Sequence, residues 1–297
     1  MIRKIKAEDK TDVLKISSKI WEGDDYIPQI FDEWVKDPHS IFAGLWVDKK
    51  LIGFGKLTFL SPTDIWLEGL RKDPQTKIKG VGKQLTAYYF DFLKGKNISS
   101  IRFSTYFDNI ASIRFNEKTG FKRVLTLSLK VLKIGNSKKK PLPDNISAPV
   151  DFIQLREYLK NSSYLNLCNN FIGKGWVVHS CSEQLLQQFV NENKVIVWQE
   201  NGKIKGAGIY SEVFYKDEFW ISLLEAENEE IFTGIKDHFI NIALEKKKKY
   251  LNILVPKNNN LLKFCNKTGF ESWEQENDFF LYELPKDIIR KITGIHS

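Results

Sequence analysis

Three cysteines, one methionine and four histidines are all the sulfur and imidazole that this chain offers to redox or metal chemistry. Cys168, Cys181 and Cys265 are odd in number, scattered, and contain no Cys-x-x-Cys pair. That argues against a disulfide framework and a structural zinc site, and suits a reducing cytosol. His39, His179, His238 and His296 are too dispersed for a recognisable cluster, so no metal site is expected. No apolar run approaches the ~20 residues that span a bilayer. The opening Met-Ile-Arg-Lys turns polar at once, unlike a secretory signal. A cytoplasmic protein without a membrane partner is the expectation.

What is present suits a folded protein. Of the 297 residues, 42% are apolar and 28% charged, with 21 Phe, 10 Tyr and 8 Trp to build cores. At ~150 residues per domain the length predicts two domains. The net charge of +8 is spread out, and its densest runs, Lys138–Lys140 and Lys246–Lys249, adjoin turn-like residues or a helix end. No basic stripe with stacking aromatics accompanies it, so no nucleic-acid partner is expected. The oligomeric state is left open.

The segment from Ile134 to Asn145 carries a glycine, two prolines and no hydrophobic period, and reads as a linker. The expected division is a first domain over 1–133, a linker over 134–148 and a second domain over 149–297. The two parts share a ground plan. Ile52-Gly-Phe-Gly is echoed by Lys205-Gly-Ala-Gly. Asn109, Phe115, Lys118, Thr119, Gly120 and Phe121 recur as Asn258, Phe264, Lys267, Thr268, Gly269 and Phe270. Six matches at one shift point to a duplicated domain. In the first copy the predicted order is strand 2–6, helices 8–20 and 26–36, strands 41–48, 51–60 and 64–72, helix 81–94, strand 99–105, helix 109–118 and strand 121–133. Antiparallel strands followed by a strand–helix–strand crossover predict a mixed α/β sheet, mostly antiparallel, with helices on its faces.

The most informative stretch follows the strand that ends at Asp73-Pro74. Lys77-Ile-Lys-Gly-Val-Gly leads into a helix whose apolar face is Val81, Leu85, Tyr88 or Tyr89, and Phe92. Gly80 and Gly82 let a bulky anion approach the backbone, unpaired helix-start amides favour negative charge, and Lys77, Lys79 and Lys83 add cations. The pattern predicts a pyrophosphate site. It is neither a P-loop nor a dinucleotide fingerprint, since GxxxxGK[ST] and the third glycine are absent. A glycine turn with solvated lysines is the alternative.

Lys77-x-x-Gly80-x-Gly82 resembles the acetyl-coenzyme A signature of the GCN5-related N-acetyltransferases, (Gln/Arg)-x-x-Gly-x-(Gly/Ala). The second family motif follows as Asn109-Ile-Ala-Ser112-Ile-Arg-Phe115-Asn116-Glu117-Lys118-Thr-Gly120-Phe121. The resemblance covers residues 1–133 and implies two tandem domains of this kind, the first catalytic and using acetyl-coenzyme A. It places the cofactor against Leu70, Arg71 and Lys72 on the strand edge, against Lys77, Ile78, Lys79, Gly80, Val81, Gly82 and Lys83 in the turn, and against Asn109, Ser112 and Phe115. The pantetheine arm pairs with that edge as an added strand, and one edge amide supports the developing oxyanion.

Two departures stand out. Lys77 keeps the charge of the usual Gln/Arg position but not planar bidentate geometry. Asn116 replaces the tyrosine that commonly protonates the thiolate; Tyr106 or solvent is left for that role. Glu68 is the candidate general base, or else it is paired structurally with Arg71 or Arg102. Asp24, Asp25 and Tyr26 are placed in the acceptor-recognition loop, with capping of the following helix as the alternative for either aspartate. Asn109 is both an N-cap candidate and a cofactor contact. The Asp25-Tyr-Ile-Pro, Trp34-x-x-Asp37-Pro38 and Glu68-Gly-Leu-Arg segments look like the histidine N-acetyltransferase subgroup of vertebrates, which implies a small amine, a free amino acid, as acceptor. A protein N-terminus or lysine as acceptor, or a coenzyme A sensor without catalysis, are the competing readings. In the second copy the basic turn is gone. Glu225, Glu227, Glu229 and Glu230 crowd its place, and Cys265 occupies the Asn116 position. That half is expected to keep the fold without binding the cofactor.

Overall fold

A computed structural model describes residues 1–147 and 150–295. Ala148, the last residue of the expected linker, its neighbour Pro149, and His296 lie outside the described residues. The chain divides into two compact units. The first comprises residues 1–103, 113–122 and 282–297; the second comprises 104–112 and 123–281.

The first unit opens with β1 (Ile2–Lys4), α1 (Lys10–Ser17) and α2 (Ile27–Lys36), followed by β2 (Ser40–Val47), β3 (Lys50–Ser61) and β4 (Asp64–Lys72). After α3 (Val81–Leu93) come β5 (Ser100–Tyr106), α4 (Ile110–Lys118) and β6 (Lys122–Lys133). β1 to β4 form an antiparallel run in chain order, and β5 joins β4 in parallel. The predicted order of elements and the mixed, mostly antiparallel sheet are thus observed. One side of the sheet is closed by α1 and α2, whose Val13, Ile16, Ile27, Ile30, Phe31 and Trp34 bury against Phe42 and Phe54. α3 covers the other side with Val81, Leu85, Tyr89 and Leu93. Phe92, expected on that face, is instead exposed, because the 3.6-residue period brings Leu93 under the helix in its place. The Tyr89 hydroxyl donates to the Gly55 carbonyl, which fixes α3 over β3.

The division of the chain differs from a simple cut at the linker. Residues 282–293 complete the first unit: Tyr282 stacks on Phe103, the Leu284 amide donates to the Ile101 carbonyl (3.0 Å), and helix Lys286–Thr293 lies against α3. Nearly all of β6 belongs to the second unit, where Leu127–Lys133 pairs antiparallel with Tyr250–Pro256. That unit continues through strands Val195–Glu200, Lys203–Ser211 and Glu218–Ala226 under helix Glu229–Glu245. The linker-like segment is anchored there, with the Lys140 amide donating to Asn241 (2.7 Å) and Lys139 paired with Glu245 (2.7 Å).

The repeated glycines have one packing reason. A Cβ on Gly53 would lie 2.5 Å from Val81 of α3, and one on Gly206 would lie 2.4 Å from Ile231 of the corresponding helix. Each copy needs a bare backbone where its crossover helix meets its sheet. The repeat in sequence is a repeat in structure.

Candidate active site

The pivot of the site is a bulge in β4. Phe54 faces Arg71 and Lys56 faces Glu68, so Gly69 and Leu70 together oppose the single residue Gly55. Gly69 adopts φ +64°, and its missing Cβ would sit 2.4 Å from the Trp34 ring. Only glycine serves both demands, and the extra residue bends the strand. Pairing between β4 and β5 covers Asp64 to Trp66 and then stops. Leu67 to Lys72 are left as an edge without a ladder partner among the described residues, at the place expected for cofactor pairing.

Next to that edge lies the glycine turn. Asp73, buried, ends β4 by accepting from the Gln75 amide (3.0 Å) and pairing with Lys19 (3.1 Å) and Lys50 (3.3 Å). Burial opposes ionisation of Asp73, but the Gln75 amide and the two lysines outweigh it and hold its carboxyl below the usual range. Gly80 is the N-cap residue of α3, at φ +74°, with no side chain capping the helix. Five helices of the second unit are capped by their own side chains, among them Glu229–Glu245 by Asn228. The space beside the Gly80 Cα is open to 4 Å, whereas a Cβ on Gly82 would meet Phe115 at 3.2 Å and Leu70 at 3.4 Å. Lys77, Lys79 and Lys83 are exposed, Ile78 half-buried and Val81 buried. Uncapped amides, two glycines and three mobile cations fit a diphosphate.

Glu68 points to the face covered by α2. Its Oε1 accepts from Thr58 (2.8 Å) and from the Lys56 ammonium (3.1 Å), and Oε2 has no partner among the described residues. The pairing proposed with Arg71 or Arg102 is not found. Arg102 is buried against Asp64, and Arg71 is turned to Asp25. Lys56, which the sequence reading passed over, is 5% exposed. It is held also by Asp37 (3.0 Å), below the Trp34 ring at 5.0 Å.

The acceptor loop is rearranged relative to expectation. Asp25 is fully buried, and its carboxylate accepts from Ser17 (2.9 Å) and from two nitrogens of Arg71 (3.0 and 3.3 Å). Its side chain is closed to solvent, and neither it nor Asp24 caps α2, whose N-cap is Tyr26. Asp25 instead fixes the Arg71 guanidinium, which lies 4.4 Å from the Trp21 ring and 5.3 Å from the Tyr26 ring. Burial pushes the Tyr26 phenol up to about 12, with Arg71 pulling the other way. Asp24 is exposed. Glu68, Tyr26, Trp34 and Arg71 therefore share one face of the bulged strand. Leu70 lies on the opposite face against α3, and Lys72 is exposed. Phe115 belongs with the glycine turn, whereas Tyr106, Asn109 and Ser112 fall in the second unit. Asn109 accepts from the Ser112 amide at 3.3 Å, as a cap does. Tyr106 lies edge-on to Trp273. No group of metal-ligating side chains occurs among the described residues.

Residues 6–121 match the model of the Acetyltransferase (GNAT) family. They form a GNAT-family acetyltransferase domain. The family uses acetyl-coenzyme A. Among solved structures the chain is similar to a "GCN5-related glucosamine N-acetyltransferase region" of a fungal multi-domain β-N-acetylglucosaminidase. That match has 14% identity and a TM-score of 0.65, covering 95% of this chain and 38% of that one. A GCN5-related N-acetyltransferase from Sphaerobacter thermophilus matches at 10% identity and TM-score 0.62, over 95% of this chain and 94% of that one. A tandem GNAT protein from the clavulanic acid biosynthesis pathway matches at 11% and 0.62, over 95% and 97%. At these identities the likeness concerns the fold, which here is two tandem GNAT-like domains. No curated protein matches the sequence. Among the described residues no helix is long and apolar enough to cross a membrane.

In the second domain three of the four acidic residues are engaged locally. Glu225 accepts from Ser163 (2.7 Å), Glu227 pairs with Lys205 (3.0 Å) and Glu229 with Lys267 (2.6 Å). Asn228 accepts from the Ile231 amide (3.0 Å), so a helix-start donor of the kind that α3 leaves open is taken there.

Proposed function

We propose that the chain transfers an acetyl group from acetyl-coenzyme A to the amine of a small molecule, a free amino acid, with histidine among the candidates. The observation that carries this reading is Glu68, a carboxylate with one oxygen held and the other open, on the bulged strand beside an unpaired edge. Bound acetyl-coenzyme A supplies an activated acetyl thioester. The α3 amides and Lys77, Lys79 and Lys83 hold its diphosphate, and the Leu70–Lys72 edge aligns its arm. Glu68 accepts the proton of the incoming ammonium at Oε2, directly or through water, so that the amine attacks as a neutral nucleophile. Lys56, Asp37 and Glu68 together carry one net negative charge, which favours a cationic acceptor. The small exposed area of Glu68, 17%, beside Trp34 and Tyr26, favours a small acceptor over a protein chain. The second domain supports the fold without a cofactor of its own. Its buried free thiols, Cys168, Cys181 and Cys265, fit a reducing compartment.

Release of coenzyme A thiol with each of the twenty amino acids tests the proposal. Turnover with a subset is expected, and Glu68→Gln should lower kcat by about 10²–10⁴ while coenzyme A affinity holds. A chain that binds coenzyme A but releases no thiol with any amino acid overturns the reading.

A further inference from the structure

We infer that Lys56 is a positioning residue: it and Thr58 fix one oxygen of Glu68 so that the other is presented to the acceptor. The inference rests on the reading of Glu68 as the base and adds the device that aims it.

A lysine on the inner face of a β-strand needs a reason. Lys56 shares that face with Phe54, which is fully buried, and loses nearly all contact with water itself. An ammonium so placed is costly unless each proton finds an acceptor. Lys56 has three: Asp37 at 3.0 Å, Thr58 at 2.8 Å and Glu68 at 3.1 Å, with the Trp34 ring above. The acceptors come from three places, the loop after α2, β3 itself, and β4 directly opposite in the ladder. The ammonium is thereby fixed in position and not merely neutralised. Burial opposes ionisation of Asp37, but the Lys56 bond and the His39 amide prevail and hold it below the usual range, so the far side of the ammonium is anchored by a carboxylate.

The effect falls on one atom of Glu68. Both Thr58 and Lys56 reach Oε1. A glutamate has three side-chain torsions, and a base must hold its accepting oxygen within hydrogen-bond reach of the proton it takes. With Oε1 clamped by two donors, the rotation that would swap the oxygens is blocked and Oε2 keeps one direction. A purely structural ion pair gains most when both carboxylate oxygens are satisfied. Here one is doubly held and the other left open, an asymmetry that suits orientation better than stability.

A four-protein cycle tests this: the parent, Lys56→Met, Glu68→Gln and the double variant, each as the full chain. Turnover is measured with the amino acid that reacts fastest in the panel, at saturating acetyl-coenzyme A. Methionine keeps the length and apolar stem of lysine without the charge. Expected is a loss of about 10–100-fold in kcat for Lys56→Met, with the KM for acetyl-coenzyme A within twofold. In the Glu68→Gln background the same change should cost less than twofold, because a residue that acts through Glu68 has nothing left to aim. An equal loss in both backgrounds, or no loss in Lys56→Met while Glu68→Gln is slow, overturns the inference. Parental turnover in Glu68→Gln, or a panel without turnover, removes the reading beneath it as well. Should Lys56→Met not fold, Thr58→Val loosens the same oxygen and must show the same dependence on Glu68.

Discussion

Gly82→Asp separates the stability of α3 from what its start binds. The position is the second residue of the helix, with ordinary backbone angles, so glycine is not needed for conformation. Replacing a helical glycine by aspartate contributes only about 0.1–0.3 kcal/mol in propensity. An acid in the first turn adds roughly 0.3–1 kcal/mol through the helix dipole. Against these stands the new Cβ, 3.2 Å from the end of the Phe115 ring and 3.4 Å from Leu70, contacts that a shift of a few tenths of an ångström relieves. The folded protein should therefore melt at the parental temperature or slightly above it. Coenzyme A faces a different balance. A carboxylate ~4 Å from one phosphate charge costs about 1 kcal/mol at the dielectric of water and about 4 kcal/mol at an effective value near 20. Affinity should thus fall by roughly fivefold to a thousandfold. Titration calorimetry with coenzyme A, beside thermal denaturation, reads both quantities. Gly82→Asn carries nearly the same shape without the charge, so the Asp–Asn difference isolates the electrostatic part and should shrink in salt. If Gly82→Asp is folded and binds coenzyme A within twofold of the parent, the diphosphate does not rest on α3 and the site is misplaced.

Two further perturbations test the scaffold. Gly69→Ala forces a side chain into φ +64° and into the Trp34 ring. It should destabilise the fold by about 1–3 kcal/mol in chemical denaturation, and parental stability would show that the bulge is not as described. Asp73→Asn tests the turn through pH. The folded carboxyl lies below its unfolded value, so its contribution is fully present above the ordinary aspartate value of ~3.9 and is lost as pH falls through the folded value. The variant should be less stable than the parent at pH 7 and converge with it under strong acid, in denaturation series at fixed pH; a constant gap would refute the assignment.

Much of this was legible in the residues because local pattern carried it. The glycine turn, the helix after it and the antiparallel order of β1 to β4 follow from periodicity and turn chemistry over short windows. The duplication was visible because glycines that admit a crossover helix cannot change without a clash. What stayed hidden depended on register. Glu68 and Lys56 are twelve residues apart and face each other in a register set by the irregularity between Phe59 and Ser61 near the β3–β4 turn, while the Gly69 bulge that follows turns Arg71 onto the same face; neither slip is announced by residue pattern. The lysine in an otherwise apolar Ile-Gly-Phe-Gly-Lys-Leu-Thr-Phe run was the available signal. Asp25 was misjudged for a similar reason: its burial is set by Ser17 and Arg71, one before and one far after it. The assignment of residues 282–293 to the first unit had no local signature at all.

That last assignment has a bearing on how the chain is made. Ile101 and Phe103 emerge about 180 residues before Tyr282 and Leu284, which complete their surroundings. At a synthesis rate of roughly 5–20 residues per second, this leaves a wait of about ten to forty seconds. During that interval the older half of the molecule exists with a strand edge bare and an aromatic face wet, while the younger half is still being strung together. Maturation of the acetyl-transferring unit is thereby timed by its neighbour's translation, and any clip or fusion near residue 286 would strike the older half first.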